Sequence, residues 1–208
     1  MSGDGSLRRA FEERASLFLH VLDRRAAQVE ALARLFAETA ARGRTIFFCG
    51  NGGSAAEAQH FAAELVGRYR RDRRGLPSIA LTTDSSILTA VGNDFGFASV
   101  FARQVDALGR RGDLLVALTT SGRSSNILEA IRAARKKGMR VAGMTGEAGS
   151  AFARRCDACL VVPSRDTPSI QEMHLVVGHL CCERAEAAAM KRRPAKARRA
   201  RAKRVRGG

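Results

Sequence analysis

No tryptophan and a single tyrosine occur in this chain. Proteins that grip single-stranded nucleic acid stack bases on aromatic rings, so the scarcity counts against that class. No apolar run approaches the roughly 18 residues of a membrane span. The first residues carry charge (Asp4, Arg8, Arg9, Glu12, Glu13) where a secretory leader would be apolar. A cytoplasmic protein with no membrane contact is the expectation. Five cysteines, an odd number at irregular spacing, are no disulfide framework. Cys156-Asp-Ala-Cys159 matches C-x-x-C, but Cys159 leads into the strand-like Leu160-Val161-Val162, whereas a thioredoxin-type pair opens a helix. No second such pair completes a zinc site. Buried, reduced thiols are expected there and at Cys181-Cys182.

Acids are also scarce, and the formal charge is +16. Its placement matters more than its size. From Lys191 onward there are ten Lys and Arg and no Asp or Glu; without those ten the charge falls to +6. Residues 191–208 have few apolar side chains to pack, which predicts a solvated basic tail. Contact of that tail with nucleic acid is the less favoured reading.

What is present is an alternating pattern. Residues 7–42 repeat apolar side chains at helical spacing (Leu17, Val21, Leu22, Val29, Leu32, Leu35, Phe36). A helix of that length exceeds what a small sheet needs, so part of it is expected to pack on another subunit; residues 1–44 form an N-terminal helical extension. Strands are predicted at 45–49, 78–82, 113–118, 140–145 and 158–162. Helices are predicted near 54–69, 85–91, 97–108, 124–137, 149–155 and 169–190. Short apolar strands alternating with helices imply one α/β domain over 45–190, a five-stranded parallel sheet covered on both faces. Ligands of such sheets gather at the carboxyl ends of the strands.

Two loops at that edge have the chemistry of an anion site. Gly50-Asn51-Gly52-Gly53-Ser54 leaves the first strand and opens a helix, so backbone N–H groups can approach a charge closely. Thr119-Thr120-Ser121-Gly122-Arg123-Ser124-Ser125-Asn126 leaves the third strand; five of its eight residues are hydroxylic, more than an N-cap requires. Phosphate is the expected ligand. Gly50-x-Gly52-x-x-Ala55 also fits a dinucleotide fingerprint, but that motif wants an acid about 20 residues on, and the second strand ends near Asp84, 34 residues past Gly50.

His60 and Glu64 lie about 40° apart around the helix that follows the first loop, so both can face one cavity. The final helix carries Gln171, Glu172, His174 and His179; the two histidines point about 140° apart, and spacing does not choose between them. His20 reads as structural.

Together these segments resemble the phosphoheptose isomerase family of the sugar-isomerase (SIS) fold. The resemblance covers about residues 10–188 and rests on Gly50-Asn51-Gly52-Gly53-Ser54, Ala58-Gln59-His60-Phe61, Glu64-Leu65-Val66-Gly67-Arg68, Val91-Gly92-Asn93-Asp94, Thr120-Ser121-Gly122 with Ser124, and Ile170-Gln171-Glu172-x-His174 through His179. It implies a homotetramer with sites between subunits that isomerises sedoheptulose 7-phosphate to D-glycero-D-manno-heptose 7-phosphate, opening the route to lipopolysaccharide core heptose. It implies Glu64 and His179 as the catalytic pair and Ser54, Thr119, Thr120, Ser121 and Ser124 on the phosphate. Asn51, Gly52, Gly53, Asn93, Asp94 and Gln171 would line the sugar site, and zinc would be held by His60, Glu64, Gln171 and His179. Pro168 stands where some members carry an aspartate, so no sugar contact is assigned to it. The non-catalytic relatives of the DnaA initiator-associating type share the scaffold and are the alternative, which the basic tail would suit. A sugar-phosphate-sensing regulator would bring a DNA-binding domain, and none is readable here.

Overall fold

In the computed structural model residues 4–191 are described; the basic tail from residue 192 lies outside them. Five strands, β1 (Ile46–Cys49), β2 (Ser78–Ala80), β3 (Leu114–Leu118), β4 (Arg140–Gly146) and β5 (Ala158–Val162), pair in parallel in the order β2-β1-β3-β4-β5. The predicted α/β class and strand positions are borne out. Seven α-helices accompany them: α1 (Asp4–Ala41), α2 (Gly53–Val66), α3 (Ser85–Phe95), α4 (Ala102–Leu108), α5 (Ser125–Lys136), α6 (Ser150–Ala153) and α7 (Thr167–Lys191). The chain reverses its lateral direction between β1 and β3, which opens a crevice above their carboxyl ends. The two anion-type loops leave those two strands.

Alternation along the strands sorts the core. Phe48, Val116, Leu118, Ala142 and Met144 face α1, α2 and α7, whereas Phe47, Cys49, Leu115, Ala117 and Val141 face α4, α5 and α6. The rings of Phe36, Phe48 and Phe61 pack in a tilted series from α1 across β1 to α2, each centroid 5.9 Å from the next. Fully burying one such side chain contributes about 1.5–3 kcal/mol, so this series ties α2 firmly to the sheet. α7 lies beside α2 and runs the same way, because Gln171 meets Gly53 near one end and His179 meets His60 further on.

Some boundaries differ from the expected ones. α2 ends at Val66 rather than 69, because Gly67 closes its last turn and the backbone of 69–71 is drawn off to Glu186. The stretch 97–108 splits into a single 3-10 turn (Phe97–Ser99) and α4, since Gly96 breaks the preceding helix at φ +79°. α1 spans 38 residues, about 57 Å at 1.5 Å per residue, and its first half carries exposed Leu7, Phe11, Leu19 and Leu22. His20 is also exposed there. Cys49, Cys181 and Cys182 are buried and all five cysteines are free thiols. Burial pushes the Cys49 and Cys182 thiols well up, which keeps them protonated.

Candidate active site

The first loop owes its shape to glycine. Gly52 caps α2 at φ +55°, a left-handed conformation that side chains rarely adopt. A Cβ on Gly50 would enter the backbone of Ser54, and one on Gly53 would occupy the place of the Gln171 amide. Gln171 therefore lies directly against the helix start that faces the crevice. Ser54 is buried in the first turn of α2.

The second loop divides its hydroxyls. Thr119 is buried, and its Oγ1 accepts the Gly122 N–H at 3.2 Å, closing the turn. Gly122 sits at φ +67°, and a Cβ there would lie 2.6 Å from Gly149 Cα. Thr120, Ser121 and Ser124 stay half-buried. Ser124 occupies the N-cap position of α5 yet makes no capping hydrogen bond, so its hydroxyl serves no local structural purpose. Arg123 is exposed.

A link between the loops was not foreseen. Asn51 Nδ2 donates to Asn126 Oδ1 at 2.9 Å, and Asn126 Nδ2 donates to Asn51 Oδ1 at 2.8 Å. This reciprocal amide pair clamps the two loops together across the crevice. Asn126 looked like one more polar residue at a helix start, and nothing local marks its partner 75 positions away.

Along the α2–α7 seam, His60 Nε2 lies 2.7 Å from His179 Nε2 and 3.6 Å from Glu64 Oε1. One ligand atom from each of the three falls within 4.8 Å of the others. The fold thus chooses His179. His174 is fully buried and faces Glu57 instead, Nδ1 to Oε2 3.9 Å. Partial burial and the neighbouring His60 lower the His179 pKa below its ordinary value, against an opposing pull from Glu64. The ring is therefore a neutral base at neutral pH. Tyr69 stacks on it, centroids 5.5 Å apart and planes at 27°, a contact that no sequence spacing signals. Eight residues of α7, about 12 Å of helix rise, separate Gln171 from His179. Asn93 and Asp94 lie exposed at the end of α3, with Asn93 Nδ2 donating to Asp94 Oδ1 at 2.8 Å and neither bonded to the crevice loops. Glu172 goes to Arg14 at 2.8 Å.

Residues 11–146 match the SIS domain family. The phosphoheptose isomerase of Rhodospirillum rubrum is 55% identical over 175 residues, spanning 84% of this chain and 93% of its own length. The chain belongs to the phosphoheptose isomerase family. A second relative, the phosphoheptose isomerase of Nitratidesulfovibrio vulgaris, is 54% identical over 82% of each chain. The solved phosphoheptose isomerase of Neisseria gonorrhoeae superposes with a TM-score of 0.82 at 40% identity, covering 88% of this chain and 98% of that one. The family's name is in keeping with both parts of the site, the hydroxyl-rich loop after β3 and the carboxylate and imidazole that meet on the α2–α7 seam.

Proposed function

We propose that the chain is an aldose–ketose isomerase converting sedoheptulose 7-phosphate to D-glycero-D-manno-heptose 7-phosphate, the first step toward lipopolysaccharide core heptose. The observation that carries this reading is the meeting of Glu64 and His179, 115 positions apart in sequence, in one cluster on the α2–α7 seam. Ser54, Thr119, Thr120, Ser121 and Ser124, with the α2 N-terminus, hold the phosphate, and Thr119 also closes its turn by accepting the Gly122 N–H. Glu64 takes the proton from C1, leaving an enediolate with its charge on the C2 oxygen. Neutral His179 takes the proton of the C1 hydroxyl and passes it to the C2 oxygen, and Glu64 then returns its proton to C2. Each group exchanges protons with atoms it can reach alternately, which is how general acid–base pairs lower such barriers. The non-catalytic reading gives no role to that pair, and two relatives above 50% identity named as isomerases stand against it.

The donor set suits zinc: two imidazole nitrogens and a carboxylate oxygen converge, as in open catalytic sites with three protein ligands. A bound ion would polarise the substrate carbonyl oxygen. His60, Glu64 and His179 of one chain would hold it, with Gln171, which lies against Gly53 and is an uncommon zinc ligand, as the fourth ligand that the resemblance implies. Assembly as a homotetramer, with sites completed between subunits, is supported by exposed Leu7, Phe11 and Leu22 on α1 and by Phe95 and Phe97 around the end of α3. α3 buries none of its residues, so Asn93 and Asp94 would reach a neighbouring chain's sugar. No described helix is long and apolar enough to cross a membrane, in keeping with a cytoplasmic enzyme. The test is incubation with sedoheptulose 7-phosphate, with and without chelator, following the aldose by NMR. Product is expected from the wild type and none from Glu64→Gln, which removes a base but little volume. No product under any metal condition would overturn the reading.

A further inference from the structure

The loop between α2 and β2 is held more tightly than a surface loop needs. Glu186, buried on α7, accepts three successive backbone N–H groups, from Tyr69 at 3.3 Å, Arg70 at 3.1 Å and Arg71 at 3.2 Å. Arg73 Nε donates to the same carboxylate at 3.0 Å, in an ion pair whose side chains are 5% and 2% exposed. The remaining Arg73 donors go to the backbone carbonyls of Leu65 at 2.9 Å, Gly67 at 3.0 Å, Arg74 at 3.1 Å and Glu64 at 2.9 Å. Glu64 and Leu65 stand in the last turn of α2, where carbonyls lack intrahelical partners, so one guanidinium ties that helix end to the loop beyond it. The latch therefore grips the backbone of Glu64 and, five residues on, sets where Tyr69 stands.

Tyr69 stands over His179 in an offset stack, centroids 5.5 Å apart at 27°. Arg70 adds a second restraint. Its guanidinium carbon lies 5.6 Å from the Tyr69 centroid, and its Nη1 lies 3.5 Å from Glu183, one turn beyond His179 on α7. The Tyr69 hydroxyl makes no hydrogen bond within the described residues, so the ring, not the oxygen, is the part in use. An imidazole on a helix turns about χ2 unless a neighbour stops it. Here His60 touches one nitrogen and Phe61 meets the ring edge-on at 6.2 Å; the broad face is left to Tyr69.

We propose that Tyr69, seated by the Arg73–Glu186 latch, is a positioning residue that fixes the plane of the His179 imidazole. Its kinetic consequence rests on the isomerase reading; the orientation itself does not. An aromatic stack can hold a ring plane that a flexible aliphatic side chain cannot. Outer partners of a functional imidazole are worth about 10- to 100-fold in activity or metal affinity.

The experiment uses full-length protein stripped with chelator and labelled at histidine, with His179 resonances assigned against His179→Gln. In the wild type the Tyr69 ring current displaces the His179 ring protons. Tyr69→Leu is expected to abolish that displacement, and Tyr69→Phe to keep it; Tyr69→Met serves where the leucine variant folds poorly. With sedoheptulose 7-phosphate, kcat is expected to fall about 10- to 100-fold in Tyr69→Leu with KM little changed, and to recover in Tyr69→Phe while the melting temperatures of all three agree. Unmoved His179 resonances in the leucine variant, or a phenylalanine variant as impaired as the leucine one, would overturn the inference. So would displaced resonances with wild-type turnover. A wild type that shows the ring-current shift but no isomerisation would instead sink the isomerase reading and leave the stack standing.

Discussion

Gly178→Ala is the sharpest test of how packing supports this site. Gly178 lies in the interior of α7, where glycine costs about 1 kcal/mol relative to alanine, so on propensity alone the substitution stabilises. The neighbour decides otherwise. A Cβ at 178 would fall inside the ring of Phe61, with even the third-nearest carbon, Cε2, only 2.7 Å away. Phe61 is fully buried and backed by Phe48 at 5.9 Å between centroids, so it cannot retreat toward the sheet. Overpacking of this kind costs about 1–3 kcal/mol, and with the far side blocked the upper end applies. The net expectation is a loss of about 2 kcal/mol, which at 2–4 °C per kcal/mol lowers the melting temperature by about 4–8 °C for a chain of this length. The Phe61 ring also borders His60 at 5.8 Å and His179 at 6.2 Å, so displacing it is expected to lower turnover as well. Calorimetry on Gly178→Ala, Phe61→Leu and the double variant checks this. The smaller leucine makes room for the new methyl, so the pair is expected to be less destabilised than the sum of the singles by about 1–2 kcal/mol. An unchanged or raised melting temperature for Gly178→Ala, or strict additivity, would refute the reasoning.

Three further outcomes follow from named contacts. Ser124→Ala is expected to raise the KM for the phosphorylated sugar while leaving stability nearly unchanged, because Ser124 makes no capping bond; a loss near the usual 1 kcal/mol of an N-cap, with KM unaltered, would place its hydroxyl in the fold instead. Glu186→Gln removes one partner of a buried ion pair and is expected to cost about 3 kcal/mol in urea unfolding at pH 7. Burial pushes the Glu186 carboxyl up, but the N–H groups of 69–71 and Arg73 outweigh it and hold the pKa below its ordinary value. Such a group stabilises fully above the unfolded value, about 4.3, and loses its contribution as pH falls through the lower folded value. The gap between wild type and Glu186→Gln should therefore narrow on acidification to about pH 3; an equal gap at both pH values would argue against it.

The parallel sheet and its two ligand loops were readable because their signals are local. Short, mostly apolar runs of three to seven residues define the strands, and the glycines at 50, 52 and 53 and the hydroxyls of 119–125 sit at the ends of two of them. Amphipathic spacing likewise placed His60 and Glu64 on one face of α2. Everything that depends on which segment meets which was out of reach. Helical periodicity offered His174 and His179 equally, and only the packing of α7 on α2 turned the first into the core and the second onto His60. The Asn51–Asn126 clamp joins loops 75 residues apart, and the helical pattern running to residue 69 was cut at Val66 by a carboxylate more than a hundred positions downstream. Intrinsic preference acts over one or two turns; hydrogen-bond demand at a helix end and the space beside an aromatic ring are set by whatever the chain brings alongside. For this protein the sequence alone determined the sheet and the loop chemistry, and the tertiary contacts decided which acid and which imidazole come together on the α2–α7 seam.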